Sequence, residues 1–249
     1  MSTGYDKYKI DITMPAVIRP ALLQRTLESL IKNVVDDMSR FRLIINVDPI
    51  GENLKSGKVV KTAQSLFPNV VFNIPKTPSF AKAVKWVWSQ TETKYVLHFE
   101  DDWIVNRKVD INDMIKILDK HRDFCSLRMY KHATPKNRTS MHTFSCRWIY
   151  NTEGYYLAKD WKKQFGLNPV LLRKDFIDEA LPLMRDNINP EKQFRYSQEY
   201  MRPIIKKWKY AIYAKPGERP LVSDTGREWI KNTEYVKPKG TFLTWEKKK

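Results

Sequence analysis

Tyr95-Val96-Leu97-His98-Phe99-Glu100-Asp101-Asp102-Trp103 is the stretch whose reading decides the fold. Tyr95, Val96, Leu97 and Phe99 make a short apolar run of strand formers. Three consecutive acids stop it. A buried strand that ends in carboxylates presents them at its carboxyl end, on the rim of a sheet. In open α/β sheets that rim is where ligands bind. Hard carboxylate oxygens there suit Mn²⁺ or Mg²⁺, ions that usually share their shell with substrate phosphates. The competing reading is an acidic turn that caps a helix starting near Ile111, and the triplet alone does not choose between the two.

Upstream, the chain alternates strand and helix. Lys9 to Thr13 reads as a first strand and Met14 to Pro20 as a stiff loop. Pro20 to about Val35 reads as a helix, with Leu22, Leu23, Leu27, Leu30, Ile31 and Val34 at helical spacing. Phe41 to Val47 is a second buried strand, and it ends at Asp48, another carboxylate on the same rim. A helix over Lys58 to Leu66, a strand over Asn69 to Ile74 and a helix from Phe80 to Gln90, capped by Ser79, complete the pattern. Strands that alternate with helices predict a mostly parallel sheet flanked by helices. No glycine-rich dinucleotide fingerprint or P-loop is present, so a nucleotide site on this sheet must use carboxylates and a metal.

Downstream the pattern is less regular. Helices are expected over Ile111 to Leu118, Lys174 to Leu183 and Asn189 to about Lys207, the last bent near Pro203. Strands are expected at Phe124 to Tyr130, Val170 to Arg173, Trp208 to Ala214 and near Leu221. Between Arg128 and Thr152 there is no acidic residue. Arg128, Lys131, Lys136, Arg138 and Arg147 are interleaved there with His132, His142, Tyr130, Phe144, Trp148 and Tyr150. Basic side chains with aromatics suit nucleic acid, with charge for phosphates and rings for bases. A β-hairpin with aromatics in the core and basic residues on the surface explains the same pattern. No linker or repeat divides the 249 residues, so one domain is the simplest organisation.

The formal charge of +17 calls for an anionic partner: nucleic acid, an anionic membrane face or a nucleotide. A lysine-rich solvated surface is the plainer account. No apolar run reaches the ~18 residues a membrane helix needs. The N-terminus carries no apolar signal core, and a cytoplasmic protein is expected. Cys125 and Cys146 lack metal-ligand spacing and read as ordinary thiols in a reducing compartment.

Several stretches, taken in order, resemble the GT-A-type, family-2-like glycosyltransferases. They are Thr13 to Leu30, Asn46-Val47-Asp48, His98 to Trp103 as an Asp-x-Asp-type metal motif with Glu in first place, Leu167 to Arg173, and Asp224-Thr225-Gly226. The resemblance spans roughly residues 9 to 230. It implies a single GT-A domain, with a nucleotide-sugar half to about residue 110, an acceptor half to about 235 and a basic tail. Pro15, Arg19 and Asp48 would hold the uracil and ribose of a UDP-sugar. Glu100 and Asp101 would hold ribose hydroxyls, and Asp102 would be the direct ligand of Mn²⁺ or Mg²⁺. Arg227 would add a positive contact. Asp224 would be a second metal ligand, although relatives often carry His there. Glu191, at a helix start in the acceptor half, would be the general base if the transfer inverts configuration, with Asp186 and Glu199 as alternatives. Stereochemistry stays open, and so does the sugar.

Three acceptor classes compete. Double-stranded DNA with a hydroxymethylated pyrimidine, as in large bacteriophages, fits the charge and the basic-aromatic stretch. Its base would be flipped from the stack, with Trp148 or Tyr150 over the gap. A membrane lipid or polysaccharide precursor is the second class. A non-catalytic, basic nucleic-acid-binding protein is the third.

Overall fold

A computed structural model describes residues 9–52, 55–134, 136, 140–143, 146–159, 165–236 and 244–247. The first half alternates as its periodicity predicts. β1 (Ile10–Ile18), α1 (Pro20–Asn33), β2 (Phe41–Gly51), α2 (Ser56–Leu66), β3 (Val70–Asn73), α3 (Phe80–Ser89) and β4 (Tyr95–His98) follow one another. The strands pair in parallel in the order β3-β2-β1-β4.

Met14 to Pro20 is not the expected loop, because β1 continues through Pro15 to Ile18. β1 pairs with β4 only from Ile10 to Thr13, but with β2 along its whole length. Past Thr13 one side of the strand needs no ladder donor, and a proline is tolerated there.

The second half extends the same sheet. β5 (Trp103–Val105), α4 (Ile111–Lys120) and β6 (Phe124–Met129) come first. β7 (Ser140–Thr143), β8 (Cys146–Asn151) and β9 (Tyr155–Ala158) form an antiparallel meander. β10 (Val170–Arg173), α5 (Lys174–Ala180), α6 (Pro190–Gln193), α7 (Arg202–Lys207) and β11 (Lys209–Tyr213) follow. The order across the sheet is β3-β2-β1-β4-β10-β6-β11-β9-β8-β7. From β3 to β11 only β10 opposes the common direction. The architecture is the expected α/β one, a mostly parallel central sheet flanked by helices. β12 (Val222–Asp224) pairs with β5, α8 (Gly226–Lys231) follows, and β13 (Tyr235–Val236) pairs with β14 (Glu246–Lys247).

Two local outcomes differ from the periodic reading. The helix expected from Asn189 to Lys207 is divided into α6, a 3₁₀ turn at Glu199–Met201 and α7. Pro203 has no N–H with which to continue an upstream helix, and it sits instead in the first turn of α7. The acidic triplet does not cap α4. Asp110 does so, accepting the N–H groups of Asn112 and Asp113.

Strand alternation divides the core between the two faces. Ile10, Ile12, Leu43, Ile45, Tyr95, Leu97 and Leu171 pack with α1, α2 and α4. Ile44, Val96, Val170 and Leu172 pack on the other face with Val84, Trp88, Phe176 and Ile205. The Trp88 indole N–H donates to His98 Nδ1 at 3.3 Å, and the Thr13 hydroxyl lies 2.9 Å from the same nitrogen. Burial pushes the His98 imidazole down to about 3, so it is neutral. Among the described residues no helix is long and apolar enough to cross a membrane. Trp88 is 1% exposed and meets Phe165, Phe176 and Phe194. Trp88→Ala should therefore cost about 3–5 kcal/mol in a denaturant titration.

Candidate active site

Parallel strands finish at one end of a sheet, so the carboxyl ends of β1, β2 and β4 share a rim. Arg19 follows β1, Asp48 lies near the end of β2, and Glu100–Asp102 follows β4. β10 is reversed and starts where β4 stops, with Val170 opposite His98. The Leu167–Pro169 segment therefore enters beside the triplet.

Arg19 is the centre of this rim and is 3% exposed. Its Nε donates to Asp101 Oδ2 at 2.8 Å. Its Nη2 donates to Asp101 Oδ1 and, at 2.9 Å, to Asp102 Oδ2. The Val17 N–H also reaches Asp101 Oδ2 at 3.1 Å, and the Thr26 hydroxyl donates to the Asp101 carbonyl at 2.9 Å. Burial works to lower the Arg19 pKa, but the two carboxylates outweigh it and hold the guanidinium charged. Burial pushes the Asp101 carboxyl up, against the pull of Arg19 and the Val17 N–H. The guanidinium carbon also lies 5.2 Å from the centre of the Trp229 ring, a cation–π contact. Arg19 thus spends two nitrogens gathering carboxylates. Among the described residues its Nη1 has no hydrogen-bond partner.

Asp48 is 5% exposed. Its oxygens accept the Asn46 amide at 2.9 Å and the Ser79 N–H at 2.8 Å. Burial pushes it up to about 6, the Asn46 and Ser79 hydrogen bonds oppose that shift, and the Asp101 charge adds to it.

Asp102 meets the late Asp224-Thr225-Gly226 segment. Its carbonyl accepts the Thr225 N–H at 2.9 Å and the Thr225 hydroxyl at 2.8 Å. The β5–β12 ladder sets Asp224 opposite Trp103. A Cβ on Gly226 would lie 2.0 Å from Asp102 Oδ2, so only glycine fits against the carboxylate. Asp224 accepts the Gly226 N–H at 3.1 Å and lies 3.5 Å from Arg227 Nε. The Arg227 side chain is 80% exposed.

Among the described residues no three His, Cys, Asp or Glu side chains form a metal cage. Mg²⁺ and Mn²⁺ do not require one, because one or two carboxylates and the oxygens of phosphate and water complete their shell. Asp102 Oδ2 is engaged by Arg19, whereas Oδ1 accepts no described hydrogen bond. Asp102, with Asp224 beside it, fits such a hard cation.

A cavity of about 40 Å³ opens at this rim, lined among others by Pro15, Arg19, Asp48, Glu100, Asp101 and Trp245. The sequence reading assigned five of these six residues to one nucleotide site, and they do converge. A larger cleft of about 440 Å³ shares Asp48 and Ala83 with it and includes Asn46, Asn73 and Trp86.

Glu191 lies in the first turn of α6, which is capped by Asn189. Its Oε1 accepts the Leu167 N–H at 2.7 Å, so it is held at the segment entering β10. Asp186 pairs with Lys85 at 2.6 Å, and the exposed Glu199 pairs with Arg202 at 3.1 Å.

The basic-aromatic stretch divides in two. Trp148 is fully buried, with its ring 5.4 Å from Arg128, which is itself 5% exposed. Neither is available to a nucleic acid, which corrects the expectation for both. β8 alternates, so that Cys146 and Trp148 pack inward on Tyr156 and Ile212 while Arg147 faces out. Burial pushes the Arg128 guanidinium down to about 10, with Glu191 opposing that shift. Gly166 leaves the room it occupies, since a Cβ there would lie 2.8 Å from Arg128 Nη1. Lys136 and Arg147 are exposed. Lys131 lies over the Trp103 ring at 5.4 Å, beside the triplet. Arg138, Phe144 and the side chain of His142 lie outside the described residues.

Sequence reasoning named Thr225 and Gly226 within a motif but gave neither a role, and it missed Thr26, Trp229 and Trp245. Gly226 carried a signal, being one of only eight glycines and placed directly after Asp-Thr. The others are ordinary residue types, and only their neighbours give them a role.

No family model matches the sequence, and no curated protein does. Solved structures do match in fold. S. aureus TarS 1-349 aligns with a TM-score of 0.57 and 13% identity, over 90% of this chain and 62% of that one. The same protein in complex with UDP-GlcNAc gives 0.55 and 12%, over 86% and 60%. The mannosyltransferase PcManGT from Pyrobaculum calidifontis, in complex with GDP-Man and Mn²⁺, gives 0.56 and 7%, over 84% and 56%. The chain thus spans roughly three-fifths of the length of these neighbours. The fold is that of the GT-A-type glycosyltransferases.

Gly226→Ala tests the packing against Asp102. It should weaken Mn²⁺ binding in the presence of UDP by about 10- to 100-fold in a calorimetric titration and lower the thermal midpoint, because the added Cβ displaces the Asp102 carboxylate.

Proposed function

We propose that this chain is a metal-dependent glycosyltransferase that moves a sugar from a UDP-sugar to a hydroxymethylated pyrimidine base in DNA. The observation that carries the donor half of this reading is the convergence of Asp48, Glu100, Asp101 and Arg19 on one rim cavity, with Asp102 and Asp224 alongside. Solved neighbours of the same fold hold UDP-GlcNAc, or GDP-Man with Mn²⁺.

In this reading Asp48 accepts hydrogen bonds from the uridine, and Glu100 binds the ribose. Asp102 and Asp224 hold Mn²⁺ or Mg²⁺, which supplies positive charge for the departing diphosphate. Arg19 keeps Asp101 and Asp102 in place and offers Nη1 to the nucleotide. Arg227 and Lys131 add cationic charge near the leaving group. Glu191 takes the proton of the acceptor hydroxyl, its Oε1 steadied by Leu167.

The DNA acceptor rests on the net charge of +17 and on the exposed Lys136 and Arg147. With Trp148 in the core, the reading relies on phosphate contacts rather than on a stacking tryptophan. DNA affinity should then fall steeply with salt, with a log–log slope of about −0.9 per phosphate contacted.

The deciding experiment incubates hydroxymethylpyrimidine DNA with the protein, Mn²⁺ and a panel of UDP-sugars, followed by mass spectrometry of the nucleosides. A hexose- or pentose-sized gain on the modified base is expected, and it should vanish in Asp102→Ala. UDP release without base modification would move the acceptor to another hydroxyl compound. Neither product would overturn the donor assignment. The ionised Asp48 carboxylate is the stronger acceptor for the uridine, so UDP affinity should decline as pH falls through about 6. Asp48→Asn should bind UDP more weakly at neutral pH and lose that pH dependence.

A further inference from the structure

The donor site makes no use of one buried cation of the sheet. Arg128 lies near the end of β6 and is 5% exposed. It sits opposite Val170 of β10 and Ile212 of β11, which are both buried and apolar. Paired residues of a ladder point to the same face, so the guanidinium rises from an apolar surface. Its carbon lies 5.4 Å from the centre of the ring of Trp148, a residue that is itself fully buried. A charge in such surroundings costs free energy unless other groups answer it.

The carboxylate that answers it is Glu191. A Cβ added to Gly166 would lie 2.8 Å from Arg128 Nη1 and 3.4 Å from Glu191 Oε1. The guanidinium and the carboxylate therefore stand beside the same point, with no side chain of Gly166 to separate them. Burial works to lower the Arg128 pKa, and among the groups that oppose it Glu191 comes first, ahead of the Tyr130 phenol and the Cys146 thiol. Glu191 is also held by backbone. Its Oε1 accepts the Leu167 N–H at 2.7 Å, and the Asn189 side chain accepts its N–H at 3.1 Å. Among the described residues Oε2 accepts no hydrogen bond. The half-buried carboxylate thus has one oxygen fixed and the other uncommitted.

We infer that Arg128 is a positioning residue for the general base: from its place between Trp148 and Gly166 it holds the Glu191 carboxylate at the rim and leaves Oε2 for the proton of the acceptor hydroxyl. This rests on the reading of Glu191 as the base. A nearby cation favours the ionised form of a carboxylate, and only that form can take a proton. A fixed guanidinium also limits the places the carboxylate can occupy, and a misplacement of about 1 Å near reacting atoms can cost about 100-fold in rate. Arginine suits this task because its planar head can lie on an indole ring and still present N–H groups at its edge. The pairing of Arg128 with Trp148 thus serves the acceptor hydroxyl from inside the sheet rather than a nucleic acid from its surface.

The test measures UDP release by the full-length chain from the panel of UDP-sugars, with Mn²⁺ and hydroxymethylpyrimidine DNA, and UDP affinity separately by calorimetry. Glu191→Gln should lower kcat by about 100-fold or more. Arg128→Met keeps the length of the stem and removes the charge. It should lower kcat by about 10- to 100-fold, with the KM for the UDP-sugar and the dissociation constant of UDP within about twofold of wild type. Arg128→Lys returns the charge and should recover part of the loss. Because Arg128 acts through Glu191, adding Arg128→Met to Glu191→Gln should cost nothing further. Gly166→Ala drives a Cβ against the guanidinium. It should reproduce the loss in kcat, and it carries the test if Arg128→Met does not fold. Wild-type kcat in Arg128→Met, no recovery in Arg128→Lys, additive losses in the double variant, or a UDP affinity that falls along with kcat would each overturn the inference and leave the base in place. Wild-type kcat in Glu191→Gln, or no turnover by the wild type, would overturn the base reading and the inference with it.

Discussion

The rim depends on one buried guanidinium. Arg19 sits between Asp101 and Asp102, out of water, with Trp229 over it. Taking three charges from solvent costs several kcal/mol per ion, and mutual attraction returns it only when the geometry is good and the remaining donors and acceptors are satisfied. Here the Val17 N–H adds a bond to the Asp101 carboxylate, and Thr26 and Thr225 fix the carbonyls of Asp101 and Asp102, while Arg19 Nη1 has no partner among the described residues. Without the arginine, adjacent carboxylates at the end of a buried strand would repel each other and take up protons. With it, Asp101 becomes a structural acid that ties the end of β1 to the end of β4. Asp102 keeps one oxygen for another cation.

The reversed strand β10 accounts for the second half of the site. In a wholly parallel sheet the segment leading into a strand would lie on the far edge from the carboxylates. Because β10 runs against β4 and β6, its entry segment Leu167–Pro169 lies on the carboxylate rim. Glu191 reaches the same place by accepting the Leu167 N–H. One change of strand direction brings the Leu167–Pro169 segment and Glu191 to the edge that carries Asp48 and the acidic triplet. A β-meander then carries the sheet outward with its basic residues to solvent and Trp148 inside.

The same geometry gives late residues influence over early ones. β12 adds to β5, so Asp224, Thr225 and Gly226 dock on the triplet. Thr244 and Trp245, far along the chain, line the cavity beside Pro15 and Asp48. Local sequence carries little of this, because each contact joins residues far apart in the chain and is set by backbone approach rather than by side-chain pattern.

What the amino-acid order determined by itself was the alternation of elements, and with it the rim. Apolar runs of period two and leucines at helical spacing do not depend on partners far away. The acids that stop β2 and β4 must then fall at strand ends, so Asp48 and Glu100–Asp102 were legible as neighbours on one rim before any contact was known. Tertiary structure decided the rest. Whether Arg19 meets a base or a carboxylate depends on where the end of β4 lies. Whether Trp148 and Arg128 meet solvent or core depends on which face of β8 is covered, and a basic-aromatic pattern is the same in both cases. The burial of Asp48, and with it a carboxyl that titrates near 6, exists only once the strands are packed. So do the surroundings of Trp245, which come from Trp229 and from the cavity that it lines.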